Sequence, residues 1–224
     1  MRWVDLAFLH WRVEPDMIRP LIPQDLTLET FDDAAWVGVV PFRMEDVRLR
    51  FTPAIPGTSA FPELNVRTYV RVGERFGVWF FSFDAANRLA VRGARFLYNL
   101  PYYDAVMAVH AEGEGIAYES RRVHTGAPPA EFVGHYTPTG PVYHAERGTL
   151  DYFLVERYCL FMKSRAGQLG YLDVHHLPWP LQPATVRLDI NTMAAAAGIQ
   201  LPADPPLIHF SRHLEVLAWN RVTL

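Results

Sequence analysis

Cysteine and lysine are each nearly missing from this sequence. A single cysteine, Cys159, excludes an intrachain disulfide and any metal site that needs several thiolates. Of the 21 lysine and arginine residues one is a lysine, so amine chemistry would have to use Lys163 or the N-terminus. One isolated thiol is typical of a reducing compartment, and we therefore expect a cytoplasmic protein.

Long hydrophobic runs and blocks of like charge are missing as well. No stretch reaches the roughly 20 apolar residues of a membrane-spanning helix. The first apolar run contains Asp5 and His10, which a signal peptide would not. The formal net charge is -3, without the basic stripe of a nucleic-acid-binding protein. We expect neither a membrane nor a nucleic acid as a partner.

The sequence also lacks the motifs of common nucleotide-binding and hydrolase folds. It contains no GxGxxG, no Walker loop and no GxSxG. His175 and His176 would point to opposite faces of a strand, and His209 and His213 would lie about 13 Å apart on one face. We therefore expect no bound metal and no cofactor.

The sequence is rich in short apolar segments separated by turn residues. Half of its residues are hydrophobic, and 18 prolines and 14 glycines are spread through it. Hairpins are predicted within 26–42, 61–85, 104–123 and 157–177, and short helices within 13–23, 84–97, 149–155 and 191–199, the second capped by Asp84. We expect one α+β, mainly β domain over 1–224, built on a large antiparallel sheet or barrel. An open β-sandwich stays as the alternative.

The segment FPELNVRTYVRVGERFGVWFFSFDA (61–85) is predicted to be a hairpin with one polar face. Alternation gives this face four residues of the first strand: Glu63, Asn65, Arg67 and Tyr69. If Val72 lies opposite Gly77, then Ser82 is opposite Arg67 and Asp84 is opposite Asn65, on the same face. Such a face either meets solvent or forms the wall of a pocket, and the residues alone leave both interpretations open.

Several long segments resemble a bacterial family of unknown function, the YqjF-like proteins. They are FLHW (8–11), FDDAAWVGVVPFRMEDVRLR (31–50), FPELNVRTYVR (61–71), GVWFFSFDA (77–85), ARFLYNLPYYDAVM (94–107), FLVERYCLF (153–161) and HHLPWPL (175–181). That family distantly resembles the acetoacetate decarboxylases. The resemblance implies a cone-shaped, mostly antiparallel β-barrel with a few short flanking helices. It also implies a pocket in the barrel lumen, lined by the polar face of 61–85.

The resemblance also assigns individual residues. Decarboxylases of that group have a pocket glutamate and a lysine that forms a Schiff base with the keto acid. FPELNVRTYV resembles the first segment and places Glu63 at the glutamate, whereas ARFLYNLPYYDAV has Tyr102 and Tyr103 where the family has two lysines. A tyrosine cannot form an imine, and Lys163 next to a predicted turn would be solvated. We therefore expect no Schiff-base chemistry.

These assignments predict a pocket for a small ligand with a carboxylate or carbonyl group. Arg67 would bind the anion with its planar guanidinium, Glu63 would be a general base once burial raises its pKa, and Tyr102 would be a hydrogen-bond donor or acid. The other predicted ligand-binding residues are Asn65, Tyr69, Ser82, Asp84 and Tyr103. The chemistry would be that of a metal-independent lyase, isomerase or hydrolase.

Two other hypotheses about function stay open. The chain would then be a non-catalytic ligand-binding or sensing module, or a structural or interaction protein whose polar sheet face is solvated. The sequence is compatible with a monomer and with a homo-oligomer.

Overall fold

The computed structural model describes residues 1–47 and 59–224, within which fourteen strands form one connected sheet. The strands are β1 (Arg2–Val13), β2 (Thr27–Leu28), β3 (Ala35–Glu45), β4 (Phe61–Val72), β5 (Arg75–Ala85), β6 (Tyr102–Glu112), β7 (Gly115–Arg122), β8 (Glu131–Pro138), β9 (Cys159–Lys163), β10 (Leu169–His175), β11 (Gln182–Asn191), β12 (Leu207–Glu215), β13 (Leu217–Ala218) and β14 (Val222–Thr223). The mainly β prediction is confirmed. The last three residues of the 31–50 motif lie outside the described residues.

The helices are few and short, as predicted. They are α1 (Pro15–Ile18), α2 (Arg88–Tyr98) and α3 (Leu150–Val155), with 3-10 turns at Arg19–Leu21 and Ala195–Ala197. The cap of α2 differs from the prediction, because Asn87 accepts from two backbone amides while Asp84 lies inside β5. No helix in the described ranges has the length and apolar character to cross a membrane.

The strand pairings close part of the sheet into a ring. The path from β4 through β5, β6, β7, β8, β11, β12, β1 and β3 returns to β4, so nine of the described strands form a closed circuit. All pairs of this ring are antiparallel except β5–β6, which runs parallel where Phe83 faces Tyr102. The ring agrees with the barrel that was expected and differs from the open β-sandwich, which would need two separate sheets.

The sheet branches at β5. The first half of β5 pairs with β9, where Val78 faces Leu160, and its last residues pair with β6. Strand β9 pairs with β10, and β10 pairs with β13, which follows β12 after one residue. Strands β9, β10 and β13 therefore form a second layer beside the ring.

Two hydrophobic cores lie on the two faces of β1, β3, β4 and β5. The first contains side chains from every ring strand, among them Leu9 and Val66, and therefore fills the ring. The second core lies against the other face of these strands. It contains Phe8 of β1, Tyr69 of β4 and Leu172 of β10. Both faces of these strands are buried, and β3 is accordingly a nearly continuous apolar run, whereas β4 carries polar residues on one of its buried faces.

The polar face of β4 points into the second core and not into the ring. Leu64 and Val66 face the ring interior, and alternation turns Glu63 and Asn65 the other way. The barrel-lumen location implied by the resemblance is therefore wrong in this respect, because the second layer encloses a separate space. The solvated-face interpretation is also wrong, since Glu63 and Asn65 are 3% and 5% exposed.

The register of the β4–β5 hairpin differs from the predicted one in two ways. A two-residue turn places Val72 opposite Arg75, which moves the pairing by two residues and preserves the faces. A bulge then leaves Phe81 unpaired between the pairs Val66–Ser82 and Arg67–Phe80. One extra residue exchanges the faces of everything beyond it, so Ser82 leaves the polar face.

Two other predicted elements are smaller than expected. In the 26–42 segment, the turn is closed by one bridge between Phe31 and Ala34, and β2 pairs with β4 instead of β3. The 191–199 helix is only the 3-10 turn Ala195–Ala197. The hairpins β6–β7 and β9–β10 are confirmed.

Candidate functional site

A cavity of about 240 Å³ lies between the polar face of β4 and the second layer. It is lined by three of the predicted site residues on β4, which are Glu63, Asn65 and Arg67, and by Tyr102 at the start of β6. Apart from these, most lining side chains are apolar: Trp3, Leu6, Val40, Phe42, Met44, Val78, Phe80, Phe83, Val155, Leu172, Val174 and Trp179. A mainly apolar wall with a few placed polar groups is typical of a small-molecule site.

Glu63 and Tyr102 form the acid–base pair of this cavity. The Tyr102 hydroxyl donates to Glu63 Oε2 at 2.9 Å. The Tyr102 ring is stacked on Phe83 with centroids 4.4 Å apart, which fixes the direction of the hydroxyl. Glu63 is buried, and Tyr102 is partly buried.

Burial raises the pKa of Glu63 to about 8, because the charged carboxylate loses its hydration. The hydrogen bond from Tyr102 opposes this rise and the charge of Asp84 adds to it. Burial also raises the pKa of Tyr102 well above its usual value, and the charge of Glu63 acts in the same direction. Tyr102 therefore stays a donor while Glu63 exchanges its proton in an accessible pH range.

Asn65 lies between Glu63 and Arg67 on the same face of β4. Its carboxamide oxygen is buried and has no hydrogen-bond partner among the described residues. Buried polar atoms are nearly always paired in folded proteins, either with protein or with a bound molecule. Asn65 therefore offers an unused polar contact inside the cavity.

Arg67 reaches across β3 at Gly38. Gly38 is paired with Arg67 on one side and with His10 on the other. A Cβ at Gly38 would meet Arg67 Cγ at 3.4 Å and two ring atoms of His10 at 3.2 Å. The missing side chain lets the guanidinium extend to β1, where its Cζ lies 5.0 Å from the ring centroid of Phe8.

The guanidinium of Arg67 has no carboxylate partner within residues 1–47 and 59–224. Its Nη2 donates to the Leu154 carbonyl oxygen at 3.5 Å, and its buried Nε has no partner there. The residue is 8% exposed. A buried cation without a counter-ion is energetically unfavourable, and an arginine in this state is typical of an anion-binding site.

Arg157 also lines the cavity but already has a carboxylate partner. Its Nη1 lies 3.0 Å from Glu29 Oε2, and its Nε donates to the Phe153 carbonyl oxygen at 2.7 Å. Arg157 was missed as a site residue because it lies 90 positions from Arg67, just after α3. The only signal in the sequence was its place in the FLVERYCLF motif.

The carboxylate of Glu156 connects two segments of the wall opposite β4. Glu156 Oε1 accepts from the Trp179 backbone amide at 2.9 Å, and its other oxygen accepts from the Tyr158 hydroxyl. These bonds hold the HHLPWPL segment against the FLVERYCLF segment. Trp179 then packs edge-on against Phe8, 4.8 Å away between ring centroids, and closes the cavity.

Tyr69 shares the face of the cavity residues but belongs to a neighbouring polar cluster. Its hydroxyl lies 2.6 Å from His10 Nε2. Burial lowers the pKa of His10, and the charges of Arg67 and His209 act in the same direction. His209 in turn lies 3.0 Å from Asp151. Tyr69 therefore packs beside Arg67 and does not line the cavity.

Ser82, Asp84 and Tyr103 were predicted as ligand-binding residues, and the structure does not bring them to the cavity. The bulge at Phe81 turns Ser82 and Asp84 to the ring side of the sheet. Asp84 accepts two hydrogen bonds from Arg122, both at 2.7 Å, and the guanidinium carbon of Arg122 lies 4.1 Å from the Tyr103 ring centroid. Asp84 therefore forms a buried ion pair with Arg122 inside the fold, and Tyr103 packs against that arginine.

Two other reactive side chains, Lys163 and Cys159, do not fit this chemistry. Lys163 is one-third exposed and pairs with Asp25 at 2.9 Å, and it is not among the cavity residues. Cys159 borders the cavity, but burial raises the pKa of its thiol to about 12, so it is a poor nucleophile. No group of three or more metal-binding side chains occurs in the part of the chain that the structure describes.

The amino-acid sequence matches the family model DUF2071, described as an uncharacterized conserved protein, over residues 1–215. It is also 43% identical over 217 residues to the uncharacterized protein YqjF of Bacillus subtilis. That match covers 97% of this chain and 88% of the relative. The resemblance inferred from the sequence motifs is confirmed.

Solved structures with a similar fold include acetoacetate decarboxylase from Legionella pneumophila, with a TM-score of 0.62 and 16% identity over 95% of this chain and 83% of that chain. Another is the enduracididine biosynthesis enzyme MppR complexed with pyruvate, with a TM-score of 0.64 and 11% identity over 99% of this chain and 87% of that one. At such identities the likeness concerns the fold, and it confirms the acetoacetate decarboxylase-like architecture.

Proposed function

The chain belongs to the DUF2071 family, and we propose that it binds a small ligand with a carboxylate or carbonyl group between Arg67 and Glu63. We further propose that it transfers a proton on this ligand without forming an imine. One observation carries this proposal: a hydrogen-bonded Glu63–Tyr102 pair and an arginine that has no counter-ion among the described residues line the same apolar cavity.

Arg67 supplies the anion-binding end. Its guanidinium is buried, and its position across Gly38 is set by the backbone on both sides. A carboxylate placed there would gain charge-assisted hydrogen bonds in a medium of low dielectric. It would also neutralise a cation whose burial is otherwise uncompensated.

Glu63 supplies the base. As a carboxylate it accepts a proton from a carbon next to a carbonyl group, and the electron pair of that C–H bond moves to form the enolate. Asn65 lies within the same row, and its NH2 group, the donor end of the carboxamide, would donate a hydrogen bond to the developing oxygen charge. Return of a proton from Glu63 completes the exchange, so no oxidant, metal or cofactor enters the balance.

Two further observations support this class of ligand and chemistry. The enduracididine biosynthesis enzyme MppR, which shares the fold, forms a complex with pyruvate, a small oxo acid. The only lysine, Lys163, is paired with Asp25 away from the cavity, which supports a mechanism without a Schiff base. A cytoplasmic location is part of the proposal, supported by the single buried thiol.

The test is deuterium exchange at the carbon next to the carbonyl, followed by proton NMR on a panel of oxo acids in D2O. The wild-type chain should accelerate exchange of at least one of them, and Glu63→Gln should not. Glu14→Gln is the matched control, because Glu14 is exposed and its side chain caps nothing. No acceleration by the wild type at pH 9, where Glu63 is ionised, would contradict the catalytic proposal.

A second candidate function is binding without catalysis, favoured by the pKa of Glu63. At about 8, this value leaves the carboxyl protonated at neutral pH, where it donates a hydrogen bond instead of accepting a proton. Isothermal titration calorimetry distinguishes the two. Binding that Arg67→Gln abolishes and Arg187→Gln leaves unchanged, without exchange at any pH, would identify a binding module; Arg187 is a suitable control because its side chain is 75% exposed.

A further inference from the structure

One arginine of the cavity favours a ligand with one carboxylate. The charged side chains lining the cavity are Glu63, Arg67 and Arg157. Arg157 already pairs with Glu29, and Glu63 is protonated at neutral pH. Arg67 is therefore the lining arginine that has no carboxylate partner among the described residues. A second carboxylate on the ligand would be buried without a partner, which is strongly unfavourable.

Arg67 and Glu63 extend toward opposite sides of β4. Four residues separate them on one strand face, which corresponds to about 13 Å between their Cα atoms. Arg67 extends across β3 to Phe8 on β1, whereas Glu63 binds Tyr102 on β6, which lies beyond β5. The anion-binding group and the acid–base group therefore contact different ends of a ligand, with Asn65 between them.

The surface between these two ends is apolar. Apolar side chains of β3, β5 and β10 line the cavity together with Trp179: Val40, Phe42, Phe80, Phe83 and Leu172. Each methylene group that moves from water to such a surface strengthens binding by about fourfold. Pyruvate has no methylene chain and would leave this surface uncovered.

From these three features, and resting on the function proposed above, we infer that the substrates are medium-chain oxo monocarboxylates. In these a methylene chain separates the carboxylate, bound by Arg67, from the carbonyl, placed beside Asn65 and Glu63. Dicarboxylates and short 2-oxo acids should bind more weakly, because of a second carboxylate without a partner and because of uncovered apolar surface.

Calorimetric titration with five acids tests the inference: pyruvate, hexanoate, 2-oxohexanoate, 5-oxohexanoate and 2-oxoglutarate. We expect 5-oxohexanoate to bind at least about tenfold more tightly than pyruvate, since several methylene groups become buried. We expect 2-oxoglutarate to bind at least about tenfold more weakly than 5-oxohexanoate, since its second carboxylate has no partner. Hexanoate should bind as well, through Arg67 alone.

The two oxohexanoate isomers test where the carbonyl lies. The rate of deuterium exchange with the protein, divided by the rate in buffer, should be higher for 5-oxohexanoate than for 2-oxohexanoate. Equal ratios, or a higher ratio for the 2-oxo isomer, would overturn the separation of the two ends. The division by the buffer rate is needed because the isomers differ in intrinsic acidity.

The failure of this inference can be told from failure of the proposed function. If pyruvate or 2-oxoglutarate binds as tightly as 5-oxohexanoate and Arg67→Gln abolishes that binding, the substrate class is wrong and the proposed function stands. If none of the five acids binds, or if Arg67→Gln leaves binding unchanged, the proposed function itself is wrong.

Discussion

The Tyr102 hydroxyl donates to the Glu63 carboxylate at 2.9 Å, although 39 positions separate the two residues in the chain. The bond joins the start of β6 to the start of β4 across β5. It is the one contact that lowers the pKa of Glu63 against the larger effect of burial. The ionisation of Glu63 therefore depends on Tyr102.

Removal of this hydroxyl should shift the pH dependence of proton exchange. In the wild type, exchange should rise with pH through about 8, because only the ionised Glu63 accepts a proton. In Tyr102→Phe the pKa of Glu63 should be higher, since the stabilising hydrogen bond to the carboxylate is lost. The measurement is the exchange rate against pH by NMR, and a profile that moves to lower pH would contradict the assigned role.

Glu63 should also make the protein less stable as pH rises. Its pKa in the fold is about 8, above the value of 4.5 expected when unfolded, so the folded state retains a proton that the unfolded state loses. Between these two pKa values, the equilibrium constant for unfolding should rise by up to about tenfold for each pH unit. Above pH 8 no further loss comes from this group.

Glu63→Gln isolates that contribution, because glutamine mimics the protonated carboxyl at every pH. We expect the variant and the wild type to have similar stability at pH 5 and the variant to be more stable at pH 9. Denaturant unfolding at pH 5, 7 and 9 measures the difference. A stability difference that does not change with pH would show that the pKa of Glu63 is not raised in the fold.

Gly38→Ala should damage the anion-binding end. The added Cβ would meet His10 at 3.2 Å and Arg67 Cγ at 3.4 Å, so both side chains must shift within a packed core. We expect a loss of about 1–3 kcal/mol in the free energy of unfolding and weaker binding of carboxylates. Gly93→Ala is the control, since nothing lies within 4 Å of its Cβ and alanine favours the α2 helix. Unchanged carboxylate affinity in Gly38→Ala would show that the course of Arg67 across β3 does not matter for binding.

Lys163→Arg should retain full exchange activity. Lys163 pairs with Asp25 at the surface, and arginine keeps that charge. Mass spectrometry after borohydride treatment with an oxo acid should detect no covalent adduct on the wild type. An adduct at Lys163 together with loss of exchange in the variant would mean that the chemistry uses an imine after all.

The row Glu63, Asn65, Arg67 and Tyr69 could be predicted from alternation alone. Two-residue periodicity follows from the geometry of an extended backbone, so these four side chains share a face in any fold that keeps β4 regular. The same rule would turn Tyr103 away from Tyr102, yet both tyrosines were predicted as site residues, and only Tyr102 lines the cavity. Membership of a ligand cavity could not be predicted in this way, because the face of a strand says nothing about what covers it.

Ser82 and Asp84 show the limit of that rule. They were assigned to the polar face by continuing the alternation of β5, and the bulge at Phe81 reversed them. Whether a bulge forms depends on the twist and packing of neighbouring strands, and the residues of those strands lie far away in the sequence. The prediction failed at Phe81, and every later side chain of β5 lies on the face opposite to the predicted one.

The sequence by itself determined the mainly β composition, the row of polar side chains on β4 and the presence of a single lysine. These follow from local backbone geometry and residue chemistry. Only the tertiary structure decided that this row faces the second layer, that Gly38 lets Arg67 reach Phe8, and that Arg157 and Trp179 close the cavity. These depend on pairings between distant segments, whose energies no local pattern contains.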